Sequence, residues 1–182
     1  MKIVNTVATG DFHCKLDLDR VVKVYKCKYN RKRFSGAIWK DHGGCCLVFS
    51  TGRFVICGVK SFDEAGQVAA LYGTKLAAIG YRALPGAVKI STMTAAHDFR
   101  QRIRFERLYP YFANRCDYTP EIFPALMIRK GKAHGTLFHN GKLIITGVKS
   151  REDLNSFFTE ISQALTSTHE DCNAAQADLL SA

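Results

Sequence analysis

Two stretches of the chain carry short apolar runs on both sides of a polar turn that contains glycine. Residues 46–57 flank the turn at 50–52, and residues 135–146 flank the turn at 139–141. Apolar runs joined by such a turn are typical of antiparallel β-hairpins. We therefore predict one hairpin in each half of the chain.

Helical spacing of apolar residues follows each hairpin, beginning after Ser61 and again after Ser150. Glu64 and Asp153 lie three residues beyond these serines, which is the spacing of an N-terminal capping box. A shorter amphipathic helix is predicted near residues 16–26. The chain is therefore expected to contain antiparallel strands with a short and a long helix in each half.

The two halves are copies of one another at an offset of 89 residues. Phe34 and Phe49 recur as Phe123 and Phe138, and the tetrapeptide that precedes each long helix is the same. Three cations recur in the same register. Such self-similarity identifies an internal duplication. The predicted organisation is repeat 1 at residues 1–86, repeat 2 at residues 87–165, and a tail at residues 166–182 that is small, polar and expected to fray.

The first hairpin has an apolar side chain on both of its faces. Leu47, Phe49 and Val55 share one face. The other face carries Val48, Phe54 and Ile56. Two long helices can cover only one face of the sheet, and the free face of an antiparallel sheet is normally polar. Two explanations are possible. Helices or a partner chain bury both faces, or one face is exposed and binds an anionic ligand with an apolar interior. The cations that recur with the phenylalanines favour the second reading, which describes a nucleic-acid groove.

Charge and cysteine content narrow the class of protein further. The 182 residues include 26 Lys and Arg against 16 Asp and Glu, a net charge of +10 that favours an anionic partner. Seven cysteines without C-x-x-C spacing favour free thiols over a disulfide framework or a zinc site. Neither a signal peptide nor a membrane-spanning stretch is recognisable, so we expect an intracellular protein without a membrane partner.

Candidate catalytic groups are scattered along the sequence. His13 and His97 have no neighbours at metal-ligand spacing, and no nucleophile, base and orienting group occur together. We therefore expect a protein that is not an enzyme and that needs no cofactor or metal.

Several segments in order resemble the TATA-box-binding protein family, namely residues 5–9, 14–18, 29–34, 47–52 and 120–124. The resemblance extends to about residue 165, and the duplication is the family's own. It implies an α+β saddle: a curved ten-stranded antiparallel sheet with its concave face on DNA and four helices on the convex face.

The resemblance also implies a function. The chain would be a transcription initiation factor that kinks AT-rich promoter DNA from the minor groove and recruits the basal machinery. It would act in the nucleus, or in the cytoplasm where transcription is not nuclear. The alternatives are a saddle-shaped protein–protein adaptor and a related factor with relaxed or non-TATA specificity.

Particular positions follow from the resemblance. The DNA wedges would be Phe34 with Phe49 and Phe123 with Phe138. The cations facing phosphates would be Arg33, Lys40, Arg53, Lys60, Arg129, Lys142 and Lys149. Further DNA contacts are expected from Asn5, Val7, Thr9, Leu47, Val55, Cys57, Thr92, Pro124, Ile144 and Thr146.

The sequence departs from the family at the positions that read base edges. Asn5 and Thr146 are retained, whereas Thr92 replaces an asparagine and Cys57 replaces a threonine. A thiol is a feeble donor and threonine has one short hydroxyl, so readout should be weaker than in the family. Repeat 2 also has threonines where the family has apolar residues, at Thr94 and Thr136.

Partner surfaces follow the family only in part. Glu121 and Ile122 match the site that meets a transcription factor IIB-like protein. The long helix of repeat 1 lacks the family's basic face, with Lys75 as the nearest remaining cation. Other basal factors or regulators are further candidate partners, and the sequence leaves open whether a transcription factor IIA-like protein binds.

Overall fold

The computed structural model describes residues 1–41 and 44–180, with side chains for 1–41 and 44–167. Within these residues the chain forms nine strands and four helices. The strands are β1 (Lys2–Asp11), β2 (Gly36–Asp41), β3 (Gly44–Phe49), β4 (Arg53–Val59), β5 (Lys89–Asp98), β6 (Cys116–Asp117), β7 (Ala125–Lys130), β8 (Ala133–Phe138) and β9 (Lys142–Val148). The helices are α1 (Leu18–Tyr25), α2 (Phe62–Ala78), α3 (Phe105–Phe112) and α4 (Arg151–Leu180).

The chain divides into two compact units. The N-terminal unit is Ile3–Met93, and the C-terminal unit is Met1–Lys2 with Thr94–Ala182. Hydrogen-bonded strands follow the order β2-β3-β4-β1 in the first unit and β5-β9-β8-β7-β6 in the second, and β5 begins in the first unit. The named pairs are antiparallel. The predicted α+β class with antiparallel strands and four helices is therefore confirmed.

The tenth strand implied by the resemblance is reduced to a single bridge. In the C-terminal unit, Asp117 of β6 pairs with Met127 of β7. At the equivalent place in the N-terminal unit, 89 residues earlier, Lys28 pairs with Ile38 as an isolated bridge with N–O distances of 2.8 and 3.0 Å. The same pairing therefore occurs in both units, but in the N-terminal unit it involves too few residues to form a strand.

Both predicted hairpins are present. β3 and β4 pair with Leu47 opposite Val55, and β8 and β9 pair with Leu137 opposite Leu143. The turn of the first hairpin contains Gly52, whose φ of 93° lies in the left-handed region that glycine tolerates best. A Cβ atom at that position would lie 2.3 Å from the carbonyl oxygen of Cys14, so the turn also requires the missing side chain.

Alternate strand residues pack against the helices in the N-terminal unit. Val48, Phe54 and Ile56 are at most 1% exposed and belong to one core with residues of α1 and α2. Tyr72 of α2 joins this core and donates its hydroxyl to the carbonyl oxygen of Trp39 at 3.0 Å. The predicted division of the hairpin into two faces is confirmed, with this face turned to the helices.

The long helices begin where the capping boxes predict. The N–H of Glu64 donates to Ser61 Oγ at 3.0 Å, and the N–H of Asp153 donates to Ser150 Oγ at 3.0 Å. These bonds satisfy backbone donors that a helix leaves free in its first turn. Asp17 caps α1 in the same manner.

Helix α4 extends further than the apolar periodicity predicts. It ends at Leu180, within the segment 166–182 for which the sequence predicts fraying. This segment has no glycine or proline and contains alanine, leucine and glutamine, which favour helix without needing an apolar stripe. Side chains from residue 168 onward, Cys172 included, lie outside the described residues.

Candidate nucleic-acid interface

The N-terminal unit has an open sheet face, which we define as the strand residues that alternate with the buried ones. Leu47 and Val55 lie opposite one another on this face and are half-buried, as are Val7 and Thr9 of β1. The sequence neighbours of Leu47, Val55 and Val7 are buried. An apolar surface therefore remains open to solvent in this unit.

A pair of phenylalanines ends the open face of the N-terminal unit. The ring centroids of Phe34 and Phe49 are 5.6 Å apart, and the rings meet edge to face at 66°. Phe34 lies in a loop where its N–H and that of Arg33 both donate to the carbonyl oxygen of Asn30 at 2.9 Å. Gly36 is opposite Phe49, and a Cβ atom there would lie 2.8 Å from the Phe34 ring. The absence of a side chain at Gly36 thus makes room for the pair.

The C-terminal unit repeats this arrangement. Phe123 and Phe138 have centroids 6.0 Å apart at an angle of 68°. The N–H groups of Ile122 and Phe123 both donate to the carbonyl oxygen of Thr119 at 2.9 Å, as in the first loop. Phe34 is 38% exposed and Phe123 is 41% exposed. Each unit therefore brings its two predicted wedge residues together and leaves them accessible.

Asn5 is held by the backbone of the neighbouring strand. Its Oδ1 accepts a hydrogen bond from the N–H of Gly58 at 2.9 Å, beside an irregularity in the pairing of β1 and β4. The amide oxygen is thereby used, and the NH₂ group remains as a donor. Cys57 precedes Gly58 and is half-buried on the open face.

The open strand positions of repeat 2 are richer in hydroxyl groups. Thr136 lies opposite Ile144, which is 37% exposed, and Thr146 lies opposite His134. Thr92 of β5 is half-buried, as is Thr94. The departures from the family therefore lie on accessible strand positions and not in the core.

The seven cations expected at the phosphates are all exposed. Arg129 differs from the others in its surroundings, because it forms an ion pair with Asp117. It also lies opposite His134 in the pairing of β7 and β8. A phosphate that approaches Arg129 must therefore share the guanidinium with a carboxylate.

The positions predicted to contact partner proteins differ in their exposure and in their contacts within the chain. Glu121 and Pro124 are exposed, and Ile122 is 84% exposed, which is unusual for an aliphatic side chain. Lys75 is half-buried, forms an ion pair with Asp41 and lies 5.9 Å from the centroid of the Tyr25 ring. The remaining cation of the long helix is thus engaged within the N-terminal unit.

Four further residues of the open faces were not predicted from the sequence. They are Ile38, Cys45, Met127 and His134, which sit at strand positions that alternate with buried residues. Cys45 and His134 each lie four residues before a predicted wedge residue, Phe49 or Phe138, so the strand period of two could have found them. Burial and the neighbouring Cys57 thiol raise the pKa of Cys45.

A cavity of about 940 Å³ lies beside Phe49 in the N-terminal unit. Its lining includes the predicted contacts Thr9, Phe49, Arg53 and Val55. Among the described residues there is no cluster of three or more His, Cys, Asp or Glu able to hold a metal ion. No helix in the described part of the chain is long and apolar enough to cross a membrane.

Two related α+β units, each with an open apolar sheet face, a phenylalanine pair and exposed cations, define the class of this protein. The sequence model described as "Transcription factor TFIID (or TATA-binding protein, TBP)" matches residues 1–79 and 87–168. The chain belongs to the TATA-box-binding protein family.

Individual relatives agree with this membership. The chain is 31% identical over 175 residues to TATA-box-binding protein 2 of Entamoeba histolytica, covering 93% of this chain and 82% of the relative. It is 33% identical to the TBP-related factor of Drosophila melanogaster, covering 92% and 77%. The solved structure of Methanococcus jannaschii TBP matches with a TM-score of 0.81 at 26% identity, covering 91% of this chain and 98% of that one.

Proposed function

We propose that this chain is a transcription initiation factor that binds the minor groove of AT-rich promoter DNA and kinks it with its phenylalanine pairs. The observation that carries the proposal is the recurrence of an accessible phenylalanine pair at the same place in both units. Family membership and the names of the relatives support the DNA-binding and transcriptional parts. The nucleus would be the site of action.

The rings are suited to act as wedges. Unstacking a base step costs about a few kcal/mol, and a flat apolar ring inserted there can replace part of the lost stacking. Phe34 and Phe123 are presented by loops of the same hydrogen-bonded geometry. An ordinary core aromatic would be buried, whereas these two rings are more than a third exposed.

The cations supply the sequence-independent part of the affinity. Long cationic side chains at the borders of an apolar face can neutralise phosphates on both sides of a groove. Arg53 and Lys142 begin β4 and β9 and are exposed at equivalent places in the two units. A net charge of +10 gives the whole chain attraction for DNA.

Recruitment of the basal machinery would use the loop of the C-terminal unit. A transcription factor IIB-like protein would meet Glu121 and Ile122, whose exposure supports a role in contact with a partner. An isolated aliphatic side chain that is 84% exposed gains from burial in a complex.

Equilibrium binding to an AT-rich duplex and to a GC-rich duplex of equal length, over a range of salt, tests the proposal. We expect tighter binding to the AT-rich duplex and a steep fall in affinity with salt, because counterions are released. A chain that served only as a protein–protein adaptor would show no salt-dependent preference for the AT-rich duplex. That result would contradict the proposal.

A further inference from the structure

Two thiols face each other across neighbouring strands of the N-terminal unit. Cys45 of β3 lies directly opposite Cys57 of β4, and Cys57 Sγ is 3.6 Å from the carbonyl oxygen of Cys45. Directly opposite residues of antiparallel strands have Cα atoms about 4.5 or 5.5 Å apart. Both values lie within the range of about 4.4–6.8 Å that a disulfide spans. A bridge between these thiols therefore needs little movement of the backbone.

The pair is more accessible than the three buried thiols of the described residues. Cys45 and Cys57 are half-buried on the open face, whereas Cys46 is turned to the helices and is 0% exposed. Burial strongly raises the pKa of Cys46, so its thiol is a poor nucleophile. Cys27 and Cys116 are buried as well. Among the described residues, the opposed pair is thus favourably placed to meet a small oxidant.

The surroundings of Cys45 shift the pKa of its thiol in both directions. Burial raises the pKa of Cys45, and the Cys57 thiol raises it further, while Lys40 lowers it from the opposite position on β2. A raised pKa slows attack at neutral pH without preventing it, because disulfide exchange proceeds through the small thiolate fraction. The bridge would therefore form slowly and would respond to sustained oxidation.

We propose that Cys45 and Cys57 are a reversible oxidation site whose disulfide weakens DNA binding, with a low-molecular-weight disulfide such as oxidised glutathione as the oxidant. One thiolate attacks the small disulfide, forming a mixed disulfide and releasing one small thiol. The second thiolate attacks the protein sulfur of that mixed disulfide, forming the Sγ–Sγ bond and releasing the second small thiol. Two protein thiols are oxidised, and one small disulfide is reduced to two thiols.

The consequence for DNA binding rests on the proposed function. Cys57 follows Val55 on the open face and precedes Gly58, and the N–H of Gly58 donates to Asn5. The bridge would therefore form among the residues expected to contact the groove floor. Oxidation removes the thiol donors and ties β3 to β4 where the face must fit the DNA. We expect binding about five-fold weaker, the loss that corresponds to one hydrogen bond.

Mass analysis of the full chain tests the modification independently of DNA. After incubation with oxidised glutathione, the protein should be lighter by two hydrogen atoms, and tryptic fragments 41–53 and 54–60 should be linked. The link should be absent in Cys45→Ser and retained in Cys14→Ser, a half-buried thiol elsewhere in the unit. A link that persists in Cys45→Ser, or fragment 54–60 carrying only glutathione, would overturn the proposed bridge.

Affinity for AT-rich duplex, measured for reduced and oxidised protein, tests the consequence. The oxidised form should bind about five-fold more weakly and recover with a thiol reductant. The double variant Cys45→Ser with Cys57→Ser can form neither the bridge nor a mixed disulfide on this face, so its affinity should be the same with and without the oxidant. A linked protein that binds as tightly as the reduced one would overturn the effect on DNA. If the reduced protein itself fails to bind DNA, the proposed function fails and the effect on DNA fails with it, while the mass result still decides the bridge.

Discussion

Under the proposed function, base readout would depend on a few side chains that differ between the two repeats. The amide oxygen of Asn5 accepts a hydrogen bond from the N–H of Gly58, which leaves the NH₂ group of Asn5 as a donor. Thr92 occupies the matching position in repeat 2 and offers a single hydroxyl that both donates and accepts. The guanine amino group is the feature that distinguishes G-C from A-T in the minor groove. A hydroxyl acceptor tolerates that group better than an amide donor does.

The first prediction is that site preference is asymmetric. G-C substitutions under repeat 2 should cost at or below the lower end of the usual range of about 1–3 kcal/mol per mismatch. Thr92→Asn with Thr94→Val should raise the preference for TATA sequences, and Asn5→Ala should erode it. Competition binding with single G-C substitutions across the site measures these penalties.

A matched control separates readout from general effects on β5. Ser91 is exposed and alternates with Thr92 along the strand, so Ser91→Asn should leave all penalties unchanged. Equal penalties in both halves of the site, unmoved by the Thr92 and Thr94 changes, would place sequence choice in DNA deformability and not in these side chains.

The second prediction concerns the phosphate contacts. Binding should weaken with salt at a log–log slope of about −0.9 per phosphate neutralised. Arg53→Ala with Lys142→Ala should flatten the slope by about two units and leave site preference unaltered, because phosphates carry no sequence information. Binding isotherms at four or more salt concentrations give the slope.

Lys23 and Arg151 provide the control for charge alone, since both are exposed but belong to α1 and α4. Lys23→Ala with Arg151→Ala should leave the slope close to that of the unmodified chain. An equal change in both double variants, or a shift in site preference with an unchanged slope, would refute the assignment of Arg53 and Lys142.

Among the strands and helices of the N-terminal unit, two glycines have opposite surroundings: one is tightly packed and the other is open. A Cβ atom at Gly10 would lie 2.4 Å from the ring of Phe54, which is 1% exposed and packs on Phe12 at 4.4 Å. A Cβ atom at Gly66, within α2, would meet no atom within 4 Å. The missing side chain at Gly10 makes room for the Phe54 ring, whereas a side chain at Gly66 would meet no neighbouring atom.

The third prediction follows from these surroundings. Gly10→Ala should destabilise the protein by about 1–3 kcal/mol through overpacking. Gly66→Ala should stabilise it by about 0.5–1 kcal/mol, because alanine favours the helix interior. Chemical denaturation measures both free energies of unfolding. Stabilisation by Gly10→Ala would show that backbone preference outweighs the ring contact there, and destabilisation by Gly66→Ala would contradict the open surroundings of that glycine.

The fourth prediction concerns the ion pairs that join α4 to the sheet of the C-terminal unit. Glu160 pairs with Arg115 and, at 3.0 Å, with Lys130. Burial raises the pKa of Glu160, but hydrogen bonds from Arg115 and Lys130 outweigh it and hold the pKa below its ordinary value. A carboxyl whose pKa is lower in the folded protein stabilises the fold above its unfolded pKa, about 4.3 for glutamate. This contribution disappears as pH falls through the folded pKa.

Glu160→Gln should therefore destabilise the protein by about 1 kcal/mol or less near neutral pH, since the group is partly exposed. The difference from the unmodified chain should shrink as the pH falls below about 4. Thermal unfolding over this pH range measures it, with the exposed Glu121→Gln as a control that leaves stability unchanged. A difference that stays constant with pH would contradict the ionic origin.

The elements that could be predicted from the sequence are those with a strong local signal. The hairpins follow from a glycine turn between apolar runs, and the starts of α2 and α4 follow from serine caps. The end of α4 could not be predicted, because residues 166–180 favour helix by composition but present no apolar stripe. The reduction of the tenth strand to one bridge depends on tertiary pairing that no local pattern records.

For the molecule as a whole, most of the candidate site could be predicted from the internal duplication. The register of the repeat identified both phenylalanine pairs, and each pair proves to be in contact. The pairing of Arg129 with Asp117 was beyond sequence reasoning, because it joins residues from two strands through side-chain geometry. Cys45 and His134 were missed for another reason: the resemblance drew attention to the family's positions and not to every residue of the open faces.

The fifth prediction concerns the central claim, that each unit inserts its own phenylalanine pair into DNA. Phe123→Ala with Phe138→Ala should remove one wedge and reduce the bend, and Phe34→Ala with Phe49→Ala should remove the other. Each loss should cost several kcal/mol of binding, since an unstacked step is no longer compensated. Phe62→Ala supplies the control, because Phe62 is 57% exposed but lies on α2.

The most direct test is the end-to-end distance of a short AT-rich duplex labelled with a dye at each end, measured by energy transfer at saturating protein. We expect a clear shortening with the unmodified chain and with Phe62→Ala, and a partial return toward the free length with either double variant. A double variant that is folded, saturates the duplex and bends it as the unmodified chain does would contradict the account.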